Sequence, residues 1–387
     1  MGNDSNPAVG PGPKVCWGVK VNGSKRLRCG EPVDDPRVIE ETMKLINEFL
    51  SRVEKHKAVL LSESATPFDD AINALSNWLG EIRAKIGESS DENIANLRKA
   101  LLNSGKKMLE LAEEAREKWL KTYKPELEEL IERLRSGKAR VIITGELLNK
   151  DKTFTAHLYV EDLAIEIDRV AKSGSITINI SLMRLRETYV VVPRLFDNER
   201  LRAMQCGLML TDGSIDKKGY PEMGTHQLWQ VFAWSLAWPG KNHMHISGLS
   251  LNDGDVGIMW QLRATDHKGV FKDKSEVAEE ASKLGDEEFL LFVLYAVFGD
   301  GSVITESKEI RLAMGHSKLE LWNNIIERLR RLGFRKRNND RHTVAYVVKS
   351  SKAIELAKRM LGNLVIKVLI EDLAQLPDAR SLGVWWR

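Results

Sequence analysis

The chain has 387 residues, enough for two or three domains with cores of their own, and its 43% hydrophobic and 29% charged residues are typical of a soluble globular protein. Its formal net charge is only +3, so total charge does not identify a nucleic-acid-binding protein. The longest apolar run, Phe289–Phe298, is far shorter than the ~20 residues that cross a bilayer, and the polar N-terminus lacks the apolar core of a signal peptide. We therefore expect no membrane partner and a cytoplasmic protein.

Residues 1–35 are predicted to be a flexible segment with one hairpin, Val19–Arg28, that turns on Asn22-Gly23. The chain has three cysteines, Cys16, Cys29 and Cys206. They are too few and too scattered for a disulfide framework, which favours a reducing compartment. The first two supply half of a zinc site, but no second Cys or His pair follows at suitable spacing, so zinc is not favoured there.

A helical region is predicted over residues 36–137. Apolar residues recur at helical spacing within residues 38–53, and Thr66-Pro67 followed by Asp69 is typical of a capped helix start. Pro125 predicts a kink or a break in the last of two or three antiparallel helices. The Glu and Lys residues on the outer faces indicate a solvated surface, with a coiled-coil partner surface as the less favoured alternative.

A small β-rich subdomain is predicted over residues 138–193. Its predicted strands are rich in β-branched residues and partly alternating: Arg140–Gly145, Thr153–Val160, Ser175–Leu182 and Thr188–Val192. His157 lies within an alternating strand and is interpreted as structural. The region shows no metal-binding or nucleophile pattern, so it carries no chemical prediction.

From residue 194 the order helix, two strands, helix, two strands occurs twice. We call residues 194–285 the first round and residues 286–380 the second round; a tail follows at 381–387. The first round is predicted to contain the motif helix, Gly213–Ile215, a loop through Pro221 and Gly224, a helix at His226–Trp238, strands His243–Leu251 and Asp255–Ala264, and the helix Lys274–Leu284. The second is predicted to contain helix Glu287–Phe298, strands Ser302–Thr305 and Ile310–Met314, helix Ser317–Leu332, strand Thr343–Val348 and helix Lys352–Leu361. The fold class is therefore α+β, with a duplicated αββαββα unit after the N-terminal regions.

The most informative stretch is Ala203–Ile215, because Leu291–Val303 has the same pattern. Each is an apolar run without a polar face, which predicts a helix packed on all sides that leads into a strand. The runs end in Asp212-Gly213 and Asp300-Gly301, 88 positions apart. Each glycine is predicted to let the chain leave its helix through a left-handed turn. Each acid then lies at a helix C-terminus, where the macrodipole disfavours it by roughly 0.3–1 kcal/mol, and the repetition of this cost indicates a use for the carboxylates.

These two segments resemble the LAGLIDADG homing endonucleases. The family signature aligns with residues 205–213, QCGLMLTDG, and residues 293–301, VLYAVFGDG. The resemblance implies a saddle in which the two helices cross at a pseudo-two-fold axis through Gly207, Thr211, Tyr295 and Gly299. The sequence departs from the family at Tyr295, where Gly is usual, and at Leu294, where Ala is usual. The stretch GTHQLWQVFAWSLAW is also similar to a LAGLIDADG-containing repeat family of hyperthermophilic archaea, and the presence of only five Gln is a hint of a thermophilic source.

The resemblance also implies a catalytic centre. Asp212 and Asp300 would hold Mg²⁺ or Mn²⁺, helped by the carbonyls next to Gly213 and Gly301, because hard cations take carboxylate and carbonyl oxygens. The basic residues that the family places near each centre would be Lys268 and Lys349, with Lys352 as an alternative to the second. The plain alternative is that each Asp-Gly pair only forms a turn and that the lysines are solvated.

His243 and His245 are two positions apart, so in a strand they share a face and are candidates to chelate a metal. Because no third ligand follows nearby in the sequence, we favour packing or surface roles for both. The densest basic cluster lies in the second round. Together with exposed strand residues of both rounds it gives the predicted nucleic-acid contacts: Gln261, Arg263, Lys308, Arg311, Arg328, Arg331, Arg335, Lys336, Arg337 and Arg341. The cluster also contains Arg330. A solvated basic face is the alternative.

Three functions remain open from the sequence. The first is a monomeric Mg²⁺-dependent endonuclease acting on a long double-stranded DNA site. The second is a catalytically inactive descendant that binds DNA or regulates it. The third is an RNA-binding maturase on the same scaffold. Trp385 and Trp386 in the tail are predicted to pack on the domain or to fray, with stacking on a base or a partner as the less favoured alternative.

Overall fold

The computed structural model describes residues 13–147, 149, 151–304, 306–338 and 343–379. Arg341 and the tail 381–387 lie outside the described residues, so the predictions made for them stay predictions. Within the described part, no helix has both the length and the apolar character needed to span a membrane. The chain divides into two units: residues 1–69, 113–186 and 246–259 form the first, and residues 70–112, 187–245 and 260–387 form the second.

The helices of the N-terminal half are α1 (Pro36–Lys55), α2 (Lys57–Leu60), α3 (Asp69–Glu88), α4 (Glu92–Lys118) and α5 (Lys124–Arg135). α3 begins at Asp69, two residues after the predicted start at Pro67, and the Asp69 carboxylate accepts hydrogen bonds from the backbone N–H and the hydroxyl of Thr66. A π-helical turn, Trp119–Tyr123, joins α4 to α5. Pro125 therefore does not break the helix but follows a local widening, which removes the hydrogen bond that proline cannot donate.

The strands of the first unit form a mixed sheet. They are β1 (Lys14–Val19), β2 (Arg28–Pro32), β3 (Arg140–Thr144), β4 (Phe154–Tyr159), β5 (Leu163–Arg169) and β6 (Ile176–Leu182), in the order β2-β1-β3-β4-β5-β6. β1 and β3 are parallel and the other neighbours antiparallel. The sequence does not predict β5. The predicted hairpin is present, with Gly23 at φ 80° in its turn.

A disulfide joins Cys16 on β1 to Cys29 on β2, with their Cα atoms 5.5 Å apart. This corrects the expectation from the sequence, because the number and scatter of cysteines do not show that strand pairing brings these two together. Because two of the three cysteines form a disulfide, their small number and scatter no longer favour a reducing compartment. Cys206 is free and buried in the core.

The first round begins after β7 (Glu187–Val192). Its elements are α6 (Asn198–Leu210), β8 (Gly213–Ile215), β9 (Pro221–Thr225), α7 (Leu228–Ala237), β10 (Gly240–Leu251), β11 (Val256–Ala264) and α8 (Lys274–Lys283). The second round contains α9 (Asp286–Asp300), β12 (Gly301–Ile304), β13 (Glu309–Gly315), α10 (Leu319–Arg331), β14 (Arg335–Asn338), β15 (Thr343–Lys349) and α11 (Ser350–Met360). α12 (Leu364–Leu373) follows and is anchored through buried Asp372, which pairs with Lys85 and Arg98 at 2.9 and 2.8 Å.

Both rounds have the same strand order. The first-round sheet runs β8-β9-β11-β10, and the second-round sheet runs β12-β13-β15-β14. The sequence does not predict two of these strands: β9 contains Pro221 and Gly224, which are typical of a loop, and β14 consists of four polar residues, RKRN. The architecture is thus mixed α+β, as expected.

Candidate functional site

The central feature of the second unit is the contact between α6 and α9, which we call the seam. Both helices are buried along almost their whole length. A Cβ atom added at Gly207 would come within 2.6 Å of the Tyr295 Cβ, and one added at Gly299 would come within 2.0 Å of the Thr211 hydroxyl. Each pair combines a glycine with a larger residue, so the large Tyr295 does not prevent close packing. The members of each pair are 88 positions apart, so equivalent positions of the two rounds face each other.

Gly213 and Gly301 follow these helices, but they do not provide left-handed turns. Neither residue has a positive φ, and Gly301 is extended at φ −113°, ψ 177°. A Cβ at Gly213 would lie 2.9 Å from the Met209 Cα, and one at Gly301 would lie 2.5 Å from the Val297 Cα. Glycine is needed because the chain folds back closely on its own helix, which corrects the predicted role.

Asp212 lies at the C-terminal end of α6 and is largely buried. The side-chain amide of Gln230, on α7, donates to its carboxylate at 3.0 Å and to the backbone carbonyl of Phe298 at 2.7 Å. The Thr225 hydroxyl in turn donates to the amide oxygen of Gln230. Burial, followed by the charge of Asp300, raises the pKa of Asp212. The two acids therefore share one electrostatic environment.

Asp300 ends α9 and has a charged partner. The Lys318 ammonium lies 3.2 Å from its carboxylate. A second lysine, Lys274, donates to the carbonyl of Thr211 at 3.2 Å, and burial, followed by the charge of Lys318, lowers its pKa. The cluster thus contains two carboxylates and two ammonium groups and is close to electrically balanced.

The side-chain partners of the two acids lie at the same spacing in both rounds. Gln230 follows Asp212 by 18 positions, and Lys318 follows Asp300 by 18 positions. Each partner lies at the start of the helix that follows the second strand of its round. Sequence reasoning missed both residues, although the constant spacing is a signal once the two Asp-Gly pairs are aligned.

The predicted basic residues lie elsewhere. The Lys349 ammonium pairs with Glu309 at 2.8 Å, and that of Lys268 lies 5.7 Å from the centre of the Tyr220 ring. Lys352 is exposed on α11. The structure places Lys318 and Lys274 beside the acids instead, because α10 and α8 begin at these residues.

The second-round sheet packs one face against helices. On the opposite face, which we call the open face, Ala345 and Val347 are buried and the basic residues beside them are partly or fully exposed. Ile310, Leu312 and Met314 of β13 are buried on the side that α9 and α11 cover. Residues directly opposite each other in antiparallel strands share a face. By register, Arg311 and Arg335 are both opposite Val347, and Arg337 is opposite Ala345. The open face consequently carries Arg311, Arg335, Arg337 and Lys349, with Glu309 as its acid.

Other predicted contacts differ in their surroundings. Arg331 and Lys336 are exposed, and Lys308 is exposed in the β12–β13 turn at φ 49°. Arg328 is not available for nucleic acid. It donates to the carbonyls of Ser282, Leu284 and Gly285 and lies over the Phe289 ring at 3.9 Å. Arg328 therefore stabilises the connection between α8 and α9, which corrects its predicted role as a nucleic-acid contact.

In the first-round sheet, Gln261 and Arg263 are partly exposed on the face of β11 opposite buried Trp260 and Leu262. Arg263 is opposite Glu222 in register, 3.4 Å from its carboxylate, and also lies 3.1 Å from Asp216. Its charge is therefore neutralised locally. In the second-round sheet the position equivalent to Arg263 is occupied by Val347, which lies opposite Arg311.

Comparison with known proteins adds little. No family model and no curated protein matches the chain. The solved structures that match include the crystal structure of full-length DUF199/WhiA from Thermatoga maritima, with 11% sequence identity and a TM-score of 0.31. The match covers 46% of this chain and 61% of that one. A likeness at this level supports no conclusion about function.

The predicted membership of the LAGLIDADG endonucleases, including the archaeal repeat family that contains this domain, is wrong. The chain matches no family model, and the structural match is described as DUF199/WhiA. The two segments share little with the family signature beyond an apolar run that ends in Asp-Gly. Apolar helices that fold back into a strand need glycine at the exit for steric reasons alone, so Asp-Gly is weak evidence for a family. Leu294 and Tyr295 already depart from the pattern.

Proposed function

We propose that the protein binds duplex DNA without cleaving it, through the open face of the second-round sheet. The observation that carries the proposal is the placement of Arg311, Arg335, Arg337 and Lys349 on one face, with Glu309 as the opposing charge. Arg335 and Arg337 are exposed, and the Lys349 side chain is 51% exposed. Guanidinium groups suit phosphate oxygens because they donate two parallel hydrogen bonds.

The spacing of the basic residues suits a nucleic-acid backbone. They come from three adjacent strands of a sheet whose strands lie about 4.8 Å apart, so they form a patch rather than a line. Contacts of this kind give affinity and strong salt dependence but little sequence preference. A regulatory or architectural role follows more directly from such contacts than recognition of one long site.

We also infer that the two rounds arose by internal duplication. The equal strand order, the 18-residue spacing of both acid–partner pairs, and the contact of equivalent positions across the seam support this inference. In a two-fold arrangement equivalent residues meet at the axis. The seam of α6 and α9 then serves to hold the two sheets together, and the Asp212–Asp300 cluster belongs to that seam.

The test measures binding of a fluorescent random-sequence duplex at several salt concentrations. The variant Arg311→Ala/Arg335→Ala/Arg337→Ala is expected to bind more weakly and to reduce the slope of log K against log salt by roughly 1 for each phosphate that the variant no longer neutralises. Arg263→Ala is the matched control, because that arginine is neutralised by its neighbours. A triple variant that keeps the wild-type slope contradicts the proposal. Stronger binding to structured RNA than to duplex DNA would favour the maturase alternative.

A divalent cation at Asp212 and Asp300 is the second candidate, and it is favoured by one observation. Burial and the neighbouring acid both raise the pKa of Asp212, and a bound cation would relieve that repulsion. The carboxylates suit Mg²⁺. The Lys318 ammonium, however, lies 3.2 Å from Asp300, so Mg²⁺ must displace it.

Calorimetric titration with Mg²⁺ and a duplex-nicking assay test this candidate. Heat of binding that disappears in Asp212→Asn/Asp300→Asn supports it, and equal heats in both proteins contradict it. Nicking that depends on both acids would in addition contradict binding without cleavage.

A further inference from the structure

A second cluster of potential ligands lies on the side of the paired strands β7 and β10 that carries the exposed residues of β7. His243 and His245 project from the same side of β10, as their spacing predicts. The register of the two antiparallel strands places Tyr189 opposite His243 and Glu187 opposite His245. Strand pairing therefore supplies the third ligand that the sequence does not show near the histidines.

The geometry of the three side chains is compact. The Nε2 atom of His243 lies 2.8 Å from a carboxylate oxygen of Glu187, and the two imidazole centres are 5.2 Å apart. One ligand atom from each of the three residues lies within 4.8 Å of the other two. Ligand atoms around a zinc ion are separated by about 3–3.5 Å at bond lengths near 2.0–2.2 Å, so small rotations about the side-chain bonds bring all three onto one ion.

We propose that Glu187, His243 and His245 form a site for a transition-metal ion of the Zn²⁺ class. Two imidazoles and one carboxylate are ligands that Zn²⁺, Co²⁺ and Ni²⁺ prefer, whereas Mg²⁺ takes oxygen ligands. The histidines are largely or partly buried, and the Glu187 side chain is 61% exposed. An ion held here keeps coordination positions that face solvent.

The surroundings of the site favour a fixed orientation of His243. The Tyr189 ring lies 5.1 Å from its imidazole, and Lys241 lies over that tyrosine at 4.1 Å. Groups beside a ligand that hold its ring in place strengthen metal binding. Without metal, the Glu187 carboxylate and the His243 imidazole are bonded to each other, so the same residues have partners in both forms.

The full-length chain, freed of metal by chelation and dialysis, is titrated with Co²⁺, and its visible d–d absorption is recorded. We expect one Co²⁺ per chain with a dissociation constant below about 10 µM, and displacement by Zn²⁺. His245→Ala and Glu187→Gln are each expected to weaken binding at least ~10–100-fold. His56→Ala removes a histidine that contacts the carbonyl of Asn252 instead, and should leave the titration unchanged.

The variant Asp212→Asn/Asp300→Asn separates this site from the acid pair of the seam and should bind Co²⁺ as the wild type does. Absence of a saturable absorption in the wild type overturns the proposal. A titration that persists in both His245→Ala and Glu187→Gln overturns it as well, because the ion would then be bound elsewhere. Circular dichroism of each variant checks that the fold is retained.

Discussion

The two rounds share their framework and differ in the charges that they present. Ser214 is paired with Glu222 in the first-round sheet, and Ser302 is paired with Arg311 in the second. The equivalent position is therefore an acid in one round and a base in the other. The next strand carries Arg263 opposite Glu222 but Val347 opposite Arg311. The first round neutralises Arg263 across strands. In the second round Glu309 pairs with Lys349 and Arg337, at 2.8 and 4.0 Å, whereas Arg311 lies opposite the apolar Val347.

This difference separates what the two rounds share from what varies between them. Gly207, Tyr295, Thr211 and Gly299 form the helix seam, where a change of one methyl group causes a clash. The charged side chains of the sheet faces tolerate charge reversal better, because they reach solvent: the Arg263 side chain is 36% exposed and Arg311 is partly exposed. Substitutions in the seam should therefore have larger effects than substitutions in the connections, and charge changes on the sheet faces should have the smallest.

The largest effect is expected from Gly207→Ala. The added methyl group would lie 2.6 Å from the Tyr295 Cβ, 2.8 Å from the Phe292 carbonyl oxygen and 2.9 Å from the Ala296 nitrogen. Because two of these are backbone atoms that cannot rotate away, we expect a loss of about 2–3 kcal/mol in the free energy of unfolding. Urea denaturation measures it.

Gly80→Ala is the matched control for this substitution. Gly80 lies in α3 with no atom within 4 Å of an added Cβ, so the same change should stabilise the protein by about 0.5–1 kcal/mol. Gly207→Ala that is as stable as wild type would show that α6 and α9 are not packed as closely as described.

Arg328→Ala is expected to reduce stability and to leave DNA binding unchanged. Its guanidinium donates to carbonyl groups at the end of α8 and contacts Asp286 at 3.1 Å, and only 17% of the side chain is exposed. Loss of such charge-assisted hydrogen bonds costs about 2 kcal/mol. Denaturation and duplex binding are measured on the same protein.

Arg311→Ala gives the opposite pair of results, with stability near that of wild type and weaker binding. The two variants together distinguish a structural arginine from a binding one. If Arg328→Ala weakens DNA binding as much as Arg311→Ala while remaining fully stable, the assignment of Arg328 to the α8–α9 connection is wrong.

The pH dependence of Asp212→Asn tests the buried cluster. Because the folded-state pKa of Asp212 is raised above its ordinary value of 3.8, its carboxyl favours the fold at low pH and loses that contribution as the pH rises through the folded-state pKa. At pH 7 the ionised group is imperfectly compensated, so removing its charge should stabilise the protein by on the order of 1 kcal/mol. The gain should disappear below about pH 4.

Asp216→Asn should show the reverse sign. Burial alone would raise the pKa of Asp216, but the N–H groups of Tyr220 and Lys218 and the charge of Arg263 outweigh it and lower the pKa. Its contribution is therefore present at pH 7 and is lost as the pH falls through the folded-state pKa. Thermal unfolding of both variants between about pH 2.5 and pH 7 measures the two slopes, because the Asp216 contribution is lost below its ordinary pKa near 4. Parallel slopes would contradict the described surroundings of Asp212.

The seam helices are predictable from the sequence because their signal is local. An apolar run without a polar face requires burial on all sides wherever it lies, and α6 and α9 both satisfy that requirement. Strand β9 is not predictable in this way because Pro221 and Gly224 are usual in loops, although the sheet tolerates Pro221 as the first residue of the strand. Strand β14 escapes prediction because its stability comes from pairing with β15 rather than from its own residues.

The site is less predictable because its contacts are not local. Asp212 and Asp300 are recognisable from their repetition, but Lys274 reaches the carbonyl of Thr211 across 63 positions. Glu187 reaches His243 across 56 positions through strand pairing alone. Charge counting places Arg328 with the binding residues because the sequence does not show which carbonyls an arginine meets. A pattern of residue types thus indicates candidates, whereas the register decides their partners.

The smallest effect is expected from Glu222→Gln, which removes the acid at the position where the second round has Arg311. Charges within a Debye length of ~8–10 Å act on a bound polyanion, so loss of this acid should tighten duplex binding about 2–3-fold at low salt, and less at high salt. Glu129→Gln is the matched control, since it removes the same charge from the exposed surface of α5. Equal affinity for both variants would mean that the neutralised face of the first round lies outside the range of the DNA. Binding would then be confined to the second-round sheet, and the charge difference between the rounds would concern only that surface.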